Sequence, residues 1–388
     1  MFQGRPTRTK SRSRIYVVGV MLVVGSGGAQ TVPAPTEFET AFGGSSFDRG
    51  VSVVPTRDGG YAAVGSTRSF GPGDEDIYLV RTDAQGDSLW SRTYGGAGQD
   101  AGWSVLETGD GLVLSGFTTS VGAGGHDFQL LAVDRDGELV WSRTYGGPGD
   151  ELSWALAATD EGGFVLVGET TSTGAGEEDC LLVRVDAAGR ELWSRTFGGE
   201  RSDRCFAVAR SPDGGYVLAG QTYSEGAGDR DAYIIKASAD GRLEWSRTFG
   251  GEASDVAHSV TTTADGGFMV TGYTTSLAVD DDDPYLIKIT ADGETVWTRV
   301  LPMEGINHTI TGDETTDGGF CLVGFTEDGR ARTSAVLFVR TGPEGRLSSY
   351  EERRRSAVGG AMGYTVHATT DGGCVFTGHA TEVHTRGV

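Results

Sequence analysis

Residues Asp203–Gly251 read DRCFAVARSPDGGYVLAGQTYSEGAGDRDAYIIKASADGRLEWSRTFGG, and most of the remaining chain repeats this stretch. The tryptophan near its end recurs at intervals of 51 to 53 residues, if Phe38 and Tyr350 are counted as its first and last equivalents. The tryptophans themselves are Trp90, Trp141, Trp193, Trp245 and Trp297. A fixed period of about 50 residues indicates a propeller, a solenoid or an array of repeats.

Each copy contains four segments that are typical of β-strands. In the stretch quoted above they are CFAVAR, YVLAG, AYIIKAS and LEWSRTF. The turns DGG and ADG connect the first pair and the last pair, and the longer loop QTYSEGAGDR lies between them. Short β-rich runs separated by Asp-Gly turns are hairpin signals, and no helical period continues through a copy.

The tight turns and the glycines that close the second strand mark seven copies. The turn aspartates are Asp58, Asp110, Asp160, Asp213, Asp265, Asp317 and Asp371. The glycines are Gly65, Gly116, Gly168, Gly220, Gly272, Gly324 and Gly378. One four-stranded sheet cannot bury both of its faces, whereas a ring of such sheets can. The sequence therefore predicts an all-β, seven-bladed β-propeller of four-stranded antiparallel blades.

The first strand alternates small and large residues, as in Cys205, Phe206 and Ala207. Because successive side chains of a strand point to opposite faces, the small residues are expected on one face and the large residues on the other. This alternation predicts that the bulky face of one blade fills the hollow left by the small face of its neighbour.

The repeated pattern also carries a family resemblance. Its elements are W-S-R-T-[YF]-G-G, then Asp, then D-G-G-[YF]-x-x-x-G-x-T, then D-x-Y-L-[VI]-[KR]-x-D-x-x-G. The pattern resembles the SBBP β-propeller repeat of bacteria and archaea, and its layout is similar to that of kelch repeats. The resemblance covers about residues 38–388. It implies a propeller fold and no particular activity, because propellers host many unrelated functions.

The first 29 residues have the layout of a secretory signal peptide: a basic start, the apolar run IYVVGVMLVV and small residues up to Ala29. An uncleaved membrane anchor is the alternative, although the apolar run is shorter than the roughly 20 residues of a comfortable span. The predicted organisation is a signal peptide at 1–29 and one propeller domain at 30–388, with repeats beginning near residues 38, 90, 141, 193, 245, 297 and 350. The predicted location is secreted or at the cell surface.

The two ends of the chain complement each other. Phe38–Phe42 provides a fourth strand with no first three before it, whereas Tyr364–Gly378 provides a first and a second strand. We expect Phe38–Phe42 to close the ring as the outermost strand of the last blade. For the third strand of that blade the sequence offers only Thr381–Val388, and the alternative is a blade of three strands.

The chain is strongly acidic, with a formal net charge of −22. This charge opposes nucleic acid and anionic membranes as partners. It indicates either a surface adapted for solubility or adaptation to high salt.

Two kinds of loop alternate along the chain and therefore lie on opposite faces of the ring. Because binding residues are concentrated on longer loops held by a rigid scaffold, the face of the GGxGxD and TxSxGAGxxD loops, called here the long-loop face, is the predicted functional face. Recurrent aspartates on this face either bind Ca²⁺ or sugar hydroxyls or, as we favour, hold their own turns. They are Asp48, Asp100, Asp203 and Asp255 in one set and Asp76, Asp127, Asp179 and Asp231 in the other.

The candidate binding site combines a run of four aspartates that occurs in one copy only with two residues of the irregular sixth copy: Asp280, Asp281, Asp282, Asp283, Asn307 and His308. Four consecutive carboxylates make this the best Ca²⁺ candidate, but the spacing of a calcium loop is missing, and a solvated acidic turn is favoured. No catalytic residue and no metal ligand is assigned, and no cofactor is expected unless Ca²⁺ binds here.

The four cysteines, Cys180, Cys205, Cys321 and Cys374, show no metal-binding spacing. We expect buried free thiols, with bridges Cys180–Cys205 or Cys321–Cys374 as the alternative.

The predicted function is that of an exported, non-enzymatic scaffold that binds a protein or a surface polysaccharide. The alternative is an extracellular glycosidase or lyase with carboxylates on the long-loop face.

Overall fold

The computed structural model describes residues 11–20, 38–279, 281–328, 333–353, 360–370 and 372–383. This part of the chain contains no helix that is long and apolar enough to cross a membrane. The strands of its first half are β1 (Ser11–Val20), β2 (Phe38–Phe42), β3 (Asp48–Pro55), β4 (Tyr61–Thr67), β5 (Asp76–Thr82), β6 (Ser88–Tyr94), β7 (Asp100–Glu107), β8 (Gly111–Thr118), β9 (Asp127–Asp134), β10 (Leu139–Tyr145), β11 (Glu151–Ala158), β12 (Phe164–Thr170), β13 (Asp179–Val185) and β14 (Glu191–Phe197). Those of the second half are β15 (Asp203–Arg210), β16 (Tyr216–Thr222), β17 (Asp231–Ala237), β18 (Leu243–Phe249), β19 (Asp255–Thr262), β20 (Phe268–Thr274), β21 (Asp283–Ile289), β22 (Thr295–Val300), β23 (Ile306–Glu314), β24 (Phe320–Asp328), β25 (Thr333–Thr341), β26 (Leu347–Arg353), β27 (Ala361–Ala368) and β28 (Cys374–Val383).

These strands form four-stranded antiparallel sheets, which are the blades of a β-propeller. Six blades each consist of four consecutive strands: β3–β6, β7–β10, β11–β14, β15–β18, β19–β22 and β23–β26. The predicted all-β propeller with four-stranded antiparallel blades is therefore confirmed. The first strands of the blades line a central channel that encloses a cavity of about 230 Å³.

A further sheet, called here the closing sheet, combines both ends of the chain in the order β2-β1-β28-β27. Its outer edge is β2, and its third strand is β1, which pairs with β28 from Ser11–Val383 to Val20–Cys374. The expectation that Thr381–Val388 would supply this third strand is wrong, because β28 itself continues to Val383 and residues 384–388 lie outside the described residues.

Strand β1 comes from the apolar run that also fits the core of a signal peptide. An apolar run suits the third strand of a blade, because β5, β13, β17 and β21 in this position are fully buried, and it equally suits the core of a signal peptide. A chain cleaved after Ala29 would lack β1, so the two interpretations exclude each other within one molecule. The count of seven blades accordingly stays a prediction.

The recurrent tryptophans join each blade to the next. A Cβ atom placed on Gly189, in the turn before β14, would lie 2.6 Å from the ring of Trp141 in the preceding blade. The same contact recurs between Gly137 and Trp90, Gly241 and Trp193, Gly293 and Trp245, and Gly345 and Trp297. Phe38 of β2 takes the place of the tryptophan against Gly86 of the β3–β6 blade. The closing sheet therefore contacts its neighbour in the same way as the continuous blades do.

The first strand of each blade contains a β-bulge at the large residue of its small-large-small pattern. In β15 the register shifts between Cys205 and Ala207, which leaves Phe206 as the extra residue. The equivalent residues Trp103, Trp154 and His258 line the channel together with Phe206. The expectation that the large residues fill the space between blades is therefore wrong for these positions. The bulge turns them toward the channel instead.

The opposite face, called here the short-turn face, is held by a recurrent ion pair. Lys236 of β17 is buried, and its Nζ lies 2.8 Å from a carboxylate oxygen of Asp213 in the DGG turn. Lys288 and Asp265 form the equivalent pair at 2.9 Å, and Arg81 pairs with Asp58 in the first blade. These residues explain the recurrent basic position of the third strand, and they assign this face a structural role.

The cysteines fall into two pairs at blade boundaries. Cys180 of β13 and Cys205 of β15 form a disulfide bond, with their Cα atoms 5.1 Å apart. The expectation of free thiols is wrong for this pair, because the propeller brings the third strand of one blade against the first strand of the next. Cys321 and Cys374 are buried free thiols, as expected.

Candidate functional site

One position of the repeat combines a recurrent backbone role with a side chain that varies between copies. It is the residue just before the third strand, and its carbonyl accepts a hydrogen bond from the first residue of the next blade. For example, the nitrogen of Asp255 donates to the carbonyl of Arg230 at 2.8 Å. The residues at this position are Glu75, His126, Glu178, Arg230 and Asp282. The backbone therefore holds four kinds of side chain at five equivalent places on the long-loop face.

Two other positions vary in the same way and lie beside this one. The residue after the recurrent glycine of the second strand is Ser66, Phe117, Glu169, Gln221, Tyr273, Phe325 or His379. The second residue of the first strand is Arg49, Ala101, Leu152, Arg204, Val256, His308 or Met362. Together with the bulge residues, these positions form a ring that we call the channel mouth.

Aromatic side chains form a continuous arc within the channel mouth. The ring centroids of Trp103 and Trp154 are 4.4 Å apart, and those of Trp154 and Phe206 are 6.0 Å apart. Phe206 continues to His258 at 5.5 Å. The guanidinium of Arg49 lies 4.5 Å from the centroid of Trp103, a cation–π distance. The arc therefore presents broad apolar surfaces that are held in place by their neighbours.

One cluster of opposite charges lies in the first blade. The guanidinium of Arg68 lies 2.9 Å from a carboxylate oxygen of Glu75, and that of Arg49 lies 3.8 Å from its other oxygen. The hydroxyl of Ser66 also donates to Glu75. The carboxylate of Glu75 is thus fully occupied by its neighbours.

A second cluster lies where the β11–β14 and β15–β18 blades meet. Nitrogen atoms of Arg204 lie 2.6 Å from Glu178 and 3.5 Å from Glu169, so one guanidinium contacts two carboxylates. The indole nitrogen of Trp154 donates to Glu169 at 3.2 Å. Burial raises the pKa of Glu169 to about 7, although the Arg204 charge and the Trp154 hydrogen bond act in the opposite direction.

A third cluster contains two of the predicted site residues. His308 Nε2 lies 2.8 Å from a carboxylate oxygen of Asp282, and the His308 ring stacks on Tyr273 with centroids 3.7 Å apart. Burial lowers the pKa of His308, although Asp282 acts to raise it. The structure thus brings Asp282 and His308 together at the channel mouth, beside Tyr273.

The side chains of the other predicted site residues do not join this cluster, although the backbone nitrogen of Asn307 donates to the carbonyl of Asp282 at 2.8 Å. Asp281 is exposed, and Asp280 lies outside the described residues. Asp283 is buried and accepts the backbone nitrogen of Met303 at 2.9 Å. Asn307 is buried and donates to the carbonyls of Glu304 and Gly305 at 3.1 and 2.8 Å. Asp283 and Asn307 therefore hold the loop that leads into β23.

The recurrent aspartates accept hydrogen bonds that hold the long loops, some from their own loop and some from the second long loop of the same blade. Asp203 accepts the backbone nitrogen of Gly199 at 2.7 Å and the hydroxyl of Ser224 at 2.6 Å. Asp48, Asp100 and Asp255 accept the corresponding pairs of bonds. Asp76, Asp127, Asp179 and Asp231 each accept a glycine nitrogen three residues earlier. These bonds are of the kind that stabilises a turn.

The metal prediction remains open. Within the described ranges, no group of three or more His, Cys, Asp or Glu side chains is arranged to hold a metal ion. Asp280 is outside these ranges, so Ca²⁺ binding by Asp280–Asp283 stays a prediction.

Sequence reasoning missed most of the channel mouth. Trp154, Glu169, Glu178, Arg204 and Arg230 are absent from the predicted site, because recurrent residues and the run of aspartates are the more conspicuous patterns. The available signal was the opposite one: positions that change from copy to copy within an otherwise constant repeat. Aligning the copies on the recurrent glycine and on the third-strand aspartate would have identified all three variable positions.

The raised pKa of Glu169 predicts how the free energy of unfolding depends on pH. The unfolded carboxyl group loses its proton near its ordinary pKa of 4.5, whereas the folded one keeps it until about 7. The unfolded state therefore binds fewer protons in this interval, and stability falls as the pH rises. Relative to Glu169→Gln, the wild-type free energy of unfolding should fall by on the order of 3 kcal/mol between pH of about 4.5 and about 8. Urea denaturation of both proteins across this range measures the difference, and parallel curves would contradict it.

Comparison with known proteins supports the fold. No family model matches the chain. The chain is similar to the Neurospora crassa Pan2 WD40 domain, with a TM-score of 0.52 and 9% identity over 87% of this chain and 90% of that one. It is also similar to a puromycin hydrolase, with a TM-score of 0.50 and 14% identity over 81% of this chain and 50% of that one. At these identities the similarity concerns the propeller fold alone.

One curated relative matches part of the chain. It is the regulatory protein FlaEY of Caulobacter vibrioides, 25% identical over 139 residues. The match covers 30% of this chain and 15% of the relative's own length.

Proposed function

We propose that the protein is an exported, non-enzymatic binding scaffold, and that it binds its partner at the channel mouth of a seven-bladed ring. One observation carries the proposal: three positions whose side chains vary between copies meet there. On the short-turn face, by contrast, the aspartates and basic residues repeat and pair with each other. Residues that hold the fold together make the same contacts in each blade and therefore recur. A single partner bound on the ring axis contacts each blade differently, so the residues that bind it differ between blades.

The composition of the channel mouth favours a protein partner over a surface polysaccharide. Tryptophan, tyrosine and arginine dominate the residues that contribute most to protein–protein binding. Trp103, Trp154, Tyr273 and Arg204 bring these types together in one patch. Their positions are held by contacts with neighbouring residues, which lowers the entropy lost on binding.

Export is the second part of the proposal. It rests on the basic start, the apolar run and the small residues before Ala29. The exported form would lack β1, the strand that pairs with both β2 and β28. Mass spectrometry of the protein recovered from the medium tests this, and an N-terminus at Gln30 is the expected result.

Binding is tested with two probes, a displayed library of random peptides and a panel of soluble polysaccharides. We expect the full chain to enrich peptides, and Trp103→Ala or Phe206→Ala to weaken the enriched binders by about tenfold or more. The matched control is Leu243→Ala on an outer strand, because Leu243 is 54% exposed and lies away from the channel. If neither Trp103→Ala nor Phe206→Ala weakened binding, the channel mouth would not be the binding site.

A second candidate is an extracellular carbohydrate-active enzyme, favoured by the two carboxylates at Arg204. A raised pKa beside a second carboxylate is typical of an acid and its partner in glycoside hydrolysis. However, Glu169 is only 4% exposed and lies behind Arg204 and Trp154, so substrate cannot reach it without a rearrangement. Release of reducing ends from the polysaccharide panel, abolished by Glu178→Gln, would establish this alternative.

A further inference from the structure

Arg230 differs from the other arginines at the channel mouth in having only neutral partners. Its guanidinium donates to Gln221 Oε1 at 3.3 Å and to the hydroxyl of Tyr273 at 2.5 Å. Its Nε is buried and has no hydrogen-bond partner in the described part of the protein. By contrast, Arg49 and Arg204 each contact a carboxylate.

This arrangement leaves a positive charge without a counter-charge. Among the residues that the structure describes, no carboxylate forms an ion pair with Arg230. Arg143, Arg195 and Arg247 also form no ion pair in the described part of the chain, but each donates to a main-chain carbonyl on an outer strand, whereas Arg230 lies at the channel mouth with a buried, unpartnered Nε. A half-buried charge is unfavourable unless it is paired, and a planar guanidinium is suited to pair with a carboxylate through two hydrogen bonds.

The backbone holds Arg230 in this position. Its carbonyl accepts the nitrogen of Asp255 at 2.8 Å, and its backbone forms a parallel bridge with Ser254 of the next blade. Gln221 and Tyr273 fix the guanidinium from two sides. The cation is therefore preorganised, and a ligand does not have to order a mobile side chain.

A cleft of about 550 Å³ opens beside Arg230 on the long-loop face. Tyr223 forms one wall, and the guanidinium of Arg201 lies 5.5 Å from the centroid of its ring. Arg201 also donates to the carbonyl of Tyr223 at 2.8 Å. Glu177 and Glu178 line the cleft as well; Glu178 is already paired with Arg204, and Glu177 is exposed and forms no ion pair with Arg230. The cleft thus combines an aromatic wall with an unneutralised cation.

We propose that this cleft binds one carboxylate of an extended peptide segment of the partner, with Arg230 as the pairing cation. The inference rests on the proposed function and specifies the chemistry of its partner. The carboxylate belongs either to an aspartate or glutamate side chain or to a C-terminus, since the guanidinium recognises the same group in both. A polyanionic saccharide fits less well, because each additional charge is repelled by a chain of net charge −22.

The test uses the full chain and the displayed library of random peptides. We expect the enriched peptides to share one acidic position, and Arg230→Gln to weaken the best of them by about tenfold to a hundredfold. Arg230→Lys should recover part of the loss, because lysine restores the charge without the planar fork. Arg242→Gln is the control, since Arg242 is an exposed arginine on the short-turn face. Thermal melting of each variant verifies that the protein remains folded.

Synthetic versions of the best peptide separate the two sources of the carboxylate. Loss of binding on amidation of the C-terminus identifies the terminal carboxylate, and loss on replacing the shared acidic residue by its amide identifies a side chain. Peptides that bind without an acidic group, or bind Arg230→Gln unchanged, would overturn the inference. If Trp103→Ala still abolished their binding, the proposed function would stand. No enriched peptide at all would overturn the inference and the protein-binding form of the proposed function together.

Discussion

Replacing Gly220 with valine should lower the free energy of unfolding by about 4 kcal/mol or more, a loss that few single substitutions reach. A Cβ atom at this position would lie 1.8 Å from the carbonyl oxygen of Arg204 and 2.8 Å from the Cα atom of Cys205. These are backbone atoms of the adjacent strand, which cannot rotate away as a side chain can. The contact lies beside the bulge at Phe206, where Cys205 pairs directly with Gly220. Chemical denaturation measures the loss directly.

Two other glycines provide matched controls for Gly220→Val. A Cβ atom at Gly342 would have no other atom within 4 Å, and this glycine has no positive φ, so Gly342→Val should be nearly neutral. Gly214 is equally open but has a φ of +86°, so Gly214→Val should show the cost of backbone strain alone. If Gly220→Val were as mild as Gly342→Val, close backbone approach would not be the reason for the recurrent glycine.

Gly220 illustrates what the sequence could and could not predict. Its recurrence at a fixed place was evident, and so were the strands and turns of each copy. The bulge in the neighbouring strand was not, since a pattern of small and large residues fits a regular strand equally well. Only the register between β15 and β16 distinguishes the two.

The closing sheet was harder to predict for a different reason. The run IYVVGVMLVV has the apolar, β-branched composition of a buried strand and also the composition of a signal peptide core. Local composition cannot separate these roles, because both require a short apolar segment. The position of β2, by contrast, followed from counting strands at the two ends of the chain.

The candidate site was missed because residues that stabilise a propeller recur in each copy, whereas the residues of the candidate site differ between copies. Recurrent residues such as Asp203 hold loops, and they dominate any search for patterns. Glu169 and Arg230 occupy positions whose neighbours repeat but whose own identity does not. Asp282 and His308 were found because they lie beside an unusual run of aspartates and in the most irregular copy.

Deleting Thr36–Phe42 should destabilise the whole ring rather than only its last blade. Phe38 and Phe42 pack against the β3–β6 blade, where the rings of Phe38 and Tyr61 are 5.4 Å apart. Removing two such aromatic anchors should lower the free energy of unfolding by about 4 kcal/mol or more. Because β2 joins a sheet made of both chain ends to the first continuous blade, its loss opens the ring at one place and frees both ends.

Thermal melting and hydrogen exchange together test this closure. We expect a lower melting temperature, with protection lost first in β3, β4, β27 and β28, because these strands flank the opened boundary. Replacing the same residues by a glycine–serine stretch of equal length is the control, since it keeps the connection and removes only the strand. If both variants melted like the wild type, β2 would be dispensable. The ring would then be held by the contacts of β28 and β27 with β3, which do not involve the N-terminal strand.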